Sequence, residues 1–86
     1  MRLCGRNHLD ELKKTTPACI VWINAWAAEL DSVVWKSVHD VMNQFPNASS
    51  VDGRSFIFKV DGSNIAVETI IDFNMLLVLI TSIKVM

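Results

Sequence analysis

Eighty-six residues, 51% of them hydrophobic, suffice for one small domain whose core needs no disulfides, and residues 1–86 are expected to form it. The formal net charge is −1, divided into +2 over residues 1–14 and −3 over residues 15–86, so the chain lacks the basic excess of proteins that hold RNA unaided by its phosphates. No apolar run approaches the roughly 18 residues of a membrane span and no signal-peptide stretch opens the chain, so a cytoplasmic location without membrane contact is expected. So much apolar surface in a short chain points instead to a partner that covers part of it.

Met1 to Gly5 reads as a short strand that joins a sheet. Asn7 is a fair N-cap for a helix over His8–Lys14, where Leu9 and Leu12 share a face and the acids precede the lysines, as the helix dipole prefers. Cys4 and Cys19 form neither a disulfide framework nor a metal-ligand spacing, and both are expected as buried, reduced thiols. Thr16-Pro17 starts a second helix, Ala18 to Leu30, with Thr16 as N-cap and Pro17 in its first turn. Its one charge is Glu29, and Trp22 and Trp26 stack at i, i+4. A helix so apolar is buried on more than one side, by its own core or by a protein partner.

Asp31-Ser32 is expected to cap a third helix, from Val33 to about Gln44, with Trp35, Val38, Val41 and Met42 on its apolar face. His39 and Asp40 are adjacent, so on a helix they point apart and make no catalytic dyad. His8 has no ligand-like or acid partner and reads as a surface residue. Phe45-Pro46 stops the helix, Asn47 to Ser50 is loop, and Val51-Asp52-Gly53-Arg54 turns into a sheet.

Three strands follow. Ser55 to Val60 is dense in aromatic and β-branched residues, and Asp61-Gly62 closes a hairpin. Ile65 to Phe73 alternates, with Ile65, Val67, Thr69, Ile71 and Phe73 on one face. Asn74 marks a turn, and the apolar run Met75–Ile80 reads as a central strand covered on both faces, continuing to Ile83. Trp35 and Phe58 are expected between helices and sheet.

The ordered set Arg2, Leu9, Leu12, the tryptophan-bearing helix, Trp35-Lys36-Ser37, Asp40-Val41, Phe45-Pro46-Asn47-Ala48, Phe58-Lys59-Val60 and Gly62-Ser63-Asn64 resembles the HigB family, RelE-like toxins of type II toxin–antitoxin systems. The likeness runs from residue 1 to about residue 83 and is most specific from Trp35 to Val60. It implies a compact α+β domain, with an N-terminal strand and helices on one face of an antiparallel sheet of three to five strands. It also implies ribosome-dependent mRNA cleavage without metal or cofactor, and a helix-turn-helix antitoxin encoded beside the toxin. In such scission a ribose 2′-OH attacks the adjacent phosphate, which requires a base, an acid and cations for the developing charge.

The chain departs from the family pattern at those groups. Ile65 and Ala66 stand where the family has an aromatic residue and an arginine, and Thr81 and Ser82 where it often has an arginine or histidine. Val85 and Met86 stand where a Thr-His pair would begin, so the C-terminal active-site segment is expected to be degenerate or truncated. Loss of even one transition-state donor costs about 10²–10³ in rate. Among Arg54, Lys59, Asn64, Glu68 and Lys84, the resemblance makes Lys59 and Asn64 the candidate catalytic residues. Arg54 and Lys84 are candidate RNA contacts, and Trp22 and Trp26 candidate partner contacts. Two functions follow: an mRNA interferase acting on the ribosome, or a toxin-fold protein without cleavage that binds its antitoxin as a decoy, inhibits another protein, or pairs with itself.

Overall fold

The computed structural model describes residues 1–50 and 52–85. In chain order the elements are β1 (Arg2–Cys4), α1 (Arg6–Thr15), a 3-10 turn (Pro17–Cys19), α2 (Ile20–Ser32), α3 (Val38–Gln44), β2 (Ser49–Ser50), β3 (Ser55–Lys59), β4 (Ile65–Asp72) and β5 (Leu77–Val85). The five strands form one sheet in the order β1-β5-β4-β3-β2. The pairs from β2 to β5 are antiparallel as expected, and β1 adds in parallel at the edge of β5. This is the α+β architecture that the sequence indicates.

The core lies between one face of this sheet and the helices. On β4, Ile65, Val67, Thr69 and Ile71 are buried, as their alternation requires, and the Thr69 hydroxyl donates to Phe56 O at 3.1 Å. Phe56 and Phe58 of β3 point the same way and meet Ile23, Trp26, Leu30 and Val41 of the helices. Trp26, Trp35, Phe45 and Phe56 all lie within 6.5 Å of the Phe58 ring centroid. Trp35 and Phe58 are both buried at the helix–sheet interface, as expected.

Several elements differ from the sequence reading. The third helix does not begin at Val33: Asp31 and Ser32 belong to the end of α2, and Val33 is extended at φ −103°, ψ 157°. The β-branched pair Val33-Val34 resists helix, and the chain stays extended until Ser37 starts α3. Trp35 is therefore in a connection rather than on a helix. Its indole donates to Gln44 Oε1 at 3.1 Å, and its backbone N–H reaches Met1 Sδ at 3.2 Å. The Met1 amino group donates to Leu30 O and Val33 O, so β1 and the end of α2 hold this connection in place. Asp40 Oδ2 accepts from Lys36 N at 2.9 Å, which gives Asp40 a capping role at the start of α3.

The N-cap of α1 is Gly5, not Asn7, because only Gly5 takes the left-handed turn (φ 82°) that leads out of β1. Thr16 caps by position alone, and one 3-10 turn precedes α2. Ser49-Ser50 of the expected loop pairs with Ile57 and Phe56 as β2. In the turn that follows, Asp52 Oδ1 accepts from Arg54 N and Ser55 N, and these backbone donors hold its carboxyl below the usual aspartate range. Val51 of that turn lies outside the described residues.

β5 is central in the sheet but covered on one face only. Val78 and Ile80 are buried, whereas Leu79 is 41% exposed and Met75, in the turn before the strand, 70%. All helices pack against the other face, so half of the apolar run meets solvent. Cys19 is buried, Cys4 half-buried, and both thiols are free.

Candidate functional site

Because Phe56 and Phe58 face the helices, Ser55, Ile57 and Lys59 face the other way. Register carries that face across the sheet. Lys59 pairs with Ala66, which pairs with Lys84, and Ile57 pairs with Glu68, which pairs with Ser82. The Cα atoms of Lys59 and Lys84 stand two strand spacings apart, about 10 Å. Ala66 between them is fully buried yet outside the helix-side core, and it offers only a methyl group.

The two lysines are not equivalent. Lys84 Nζ lies 3.6 Å from Glu68 Oε2, while Ser82 Oγ donates to Glu68 Oε1 at 2.6 Å. The Ser82 hydroxyl is the largest influence on Glu68 and, with the Lys84 charge, holds its carboxyl below the usual glutamate range against a desolvation that raises it. A carboxylate so stabilised is a weak proton acceptor. Lys59 is exposed and has no ion-pair partner among the described residues, so its ammonium is free to meet an anion.

A bulge makes this arrangement. Counted straight from the Asp72–Leu77 pair, Thr81 would stand opposite Glu68, but the register shifts between Glu68 and Thr69, and Ser82 stands there instead. Thr81 becomes the extra residue, its hydroxyl donating to Glu68 O at 3.2 Å. The shift brings Ser82 beside Glu68 and Lys84 beside Ala66. Sequence reasoning named Glu68 and Lys84 as polar candidates and Ser82 as a departure from the family pattern, but did not place Ser82 beside Glu68, because alternation alone does not announce a bulge.

Asn64 is exposed in the turn between Lys59 and the start of β4 at Ile65. Arg54 is exposed at the opposite end of β3, on the order of 15 Å along the strand from Lys59. Register thus puts Lys59 and Lys84 on one row across Ala66, with Asn64 in the turn at the end of that row, and leaves Arg54 apart. Neither histidine joins them, since His8 sits on α1 and His39 on α3. Met86, expected at a histidine position, lies outside the described residues.

Lys59 also borders a groove of about 310 Å³ between α2, the Phe45–Ala48 segment and the end of β3. Trp22 and Trp26 line it, stacked at 5.7 Å with their planes 13° apart. Trp26 is 2% exposed and belongs to the core, and its buried indole N–H has no acceptor among the described residues. Trp22 is half-buried and forms the accessible wall. Glu29 and Asp61 stand at the rim. Among the described residues no group of three or more His, Cys, Asp or Glu is placed to hold a metal, and no helix is long and apolar enough to cross a membrane.

Comparison with known families gives a match over residues 21–84 to the model described as HigB_toxin, RelE-like toxic component of a toxin-antitoxin system. The matched span runs from the start of α2 through nearly all of β5 and includes every residue of the two features above. Comparison with curated proteins found no match.

Proposed function

The chain belongs to the HigB family of RelE-like toxins, and on that premise we propose that residues 1–86 act as one toxin-fold domain whose RNA cleavage is weakened or lost. One observation carries this reading: the row Lys59–Ala66–Lys84 on the open face. It holds one free ammonium, a buried methyl group where the family pattern has an arginine, and a second ammonium paired with Glu68. RNA scission needs cations at the scissile phosphate and a proton donor and acceptor beside it. Lys59 and Asn64 supply one charge and one amide, Lys84 is partly neutralised, and Glu68 is a poor base. Arg54 stands too far from this row to join it and would serve only as an outlying phosphate contact.

The test is direct. In a translating extract the purified chain should leave mRNA intact at concentrations that suffice for an active family toxin. Codon-specific cuts on the ribosome, lost in Lys59→Ala, would restore the metal-independent interferase reading and overturn this one.

The groove at Trp22 favours a function by association in the cytoplasm, with the family's antitoxin or another protein as partner. A half-buried indole backed by a second indole is the kind of anchor that dominates protein interfaces. In this reading the chain competes for the antitoxin as a decoy, or restrains another protein. Trp22→Ala should weaken capture of the antitoxin encoded beside it about thirtyfold, the equivalent of about 2 kcal/mol.

A further inference from the structure

β5 is nine residues long, and its outer edge is only partly covered. β1 pairs with Leu77, Val78 and Leu79 and ends at Cys4, after which Gly5 turns the chain into α1. From Thr81 to Val85 the outward edge has no backbone partner among the described residues. The two terminal strands of the sheet, β1 and β2, are three and two residues long. Short edges of that kind protect a sheet, whereas a bare five-residue edge is a template for another strand. Beside this edge runs a groove of about 410 Å³, lined by His8, Glu11, Leu12, Thr15, Ser82 and Ile83.

We propose that the Thr81–Val85 edge of β5 pairs antiparallel with the same segment of a second copy of this chain, about a two-fold axis through Ile83. Parity and charge select that axis. Directly opposed residues of an antiparallel pair share a face. Ile83 pairs with Val67 on the helix side and Lys84 with Ala66 on the open side, so an axis between Ile83 and Lys84 is excluded. An axis through Lys84 sets two ammonium groups against each other. An axis through Ser82 sets Lys84 against Ile80, which is buried on the helix side.

With the axis at Ile83, Thr81 faces Val85 and Ser82 faces Lys84 of the second copy. Ser82 is already the cross-strand neighbour of Glu68 and donates to its carboxylate. The second copy's Lys84 therefore completes the row Glu68–Ser82–Lys84, and each Glu68 has two ammonium groups on its β5 side, one from each chain. On the helix side the pairing sets Ile83 against its symmetry mate beside Leu12 and covers Val85, which is 72% exposed. Backbone hydrogen bonds supply the attachment and the Glu68–Lys84 network supplies the register. The contact is small, so a weak, concentration-dependent dimer is expected.

Sedimentation velocity on the full chain from micromolar to millimolar concentration should show a monomer–dimer equilibrium, lost in Lys84→Glu and weakened by salt. Under mild oxidation Ile83→Cys should form an intermolecular disulfide, located by mass spectrometry at position 83, whereas Lys84→Cys should form far less. Hydrogen exchange on the unsubstituted chain gives a readout that needs no variant, since amides in Thr81–Val85 should become more protected as concentration rises. A monomer at every concentration, a dimer whose protection maps to α2, or protection of this edge only when antitoxin is added would each overturn the proposal.

Discussion

At the scale of single residues, Glu68 shows how a sheet face sets the state of a side chain. Its carboxylate accepts from Ser82 and faces Lys84, and both favour the ionised form, so its folded pKa is depressed. A group of this kind adds stability that is present above its unfolded pKa and is lost as pH falls through the folded one. Glu68→Gln should therefore lower the urea midpoint at neutral pH, and the gap to the parent chain should close in acid, below the ordinary glutamate range. Ser82→Ala should reproduce most of that change, and added salt should not, because the hydroxyl rather than the Lys84 charge is the larger influence. Parallel acid limbs in parent and Glu68→Gln would show that the pair contributes nothing specific.

At the scale of elements, the junction between β1 and α1 packs closely against β5. Gly5 adopts φ 82°, and a Cβ there would lie 2.5 Å from Ile80 O on β5. The left-handed backbone alone costs a non-glycine residue about 1–3 kcal/mol. The collision is with a backbone oxygen, which no rotamer change relieves. Gly5→Ala should thus destabilise the fold by at least that amount, measured by chemical or thermal unfolding. Gly62→Ala shares the positive φ but meets nothing within 4 Å, and it serves as the control for conformational strain without collision. Equal losses in the two variants would mean that the close approach of Gly5 to β5 costs nothing.

At the scale of the molecule, the balance of charge limits what the chain does alone. The formal net charge is −1, and of the sheet lysines Lys84 is paired with Glu68. Proteins that hold nucleic acid firmly neutralise about 6–10 phosphates, which gives steep salt dependence. Fluorescence anisotropy with a labelled single-stranded RNA should show no saturable binding at micromolar chain and physiological salt. Tight binding with a slope that reports six or more released counterions would contradict this picture.

Local chemistry made much of this protein legible in its sequence. The alternation of Ile65 to Phe73, the turn residues Asp61-Gly62 and the stop at Phe45-Pro46 fix β4, the β3–β4 hairpin and the end of α3, because each depends on residues a few positions apart. The ordered motifs from Trp35 to Val60 carried the family. Tertiary contacts decided the rest. Val33 to Ser37 is extended because Trp35 is drawn into the aromatic core and Met1 binds the carbonyls of Leu30 and Val33, groups about 30 residues away in sequence. The apolar run before Ile80 has one covered face because all the helices settle on that face, which a strand's own pattern does not encode. The bulge at Thr81 turns Ser82 toward Glu68 and Lys84 toward Ala66, and a register shift of one residue belongs to the pairing of two strands rather than to either strand alone.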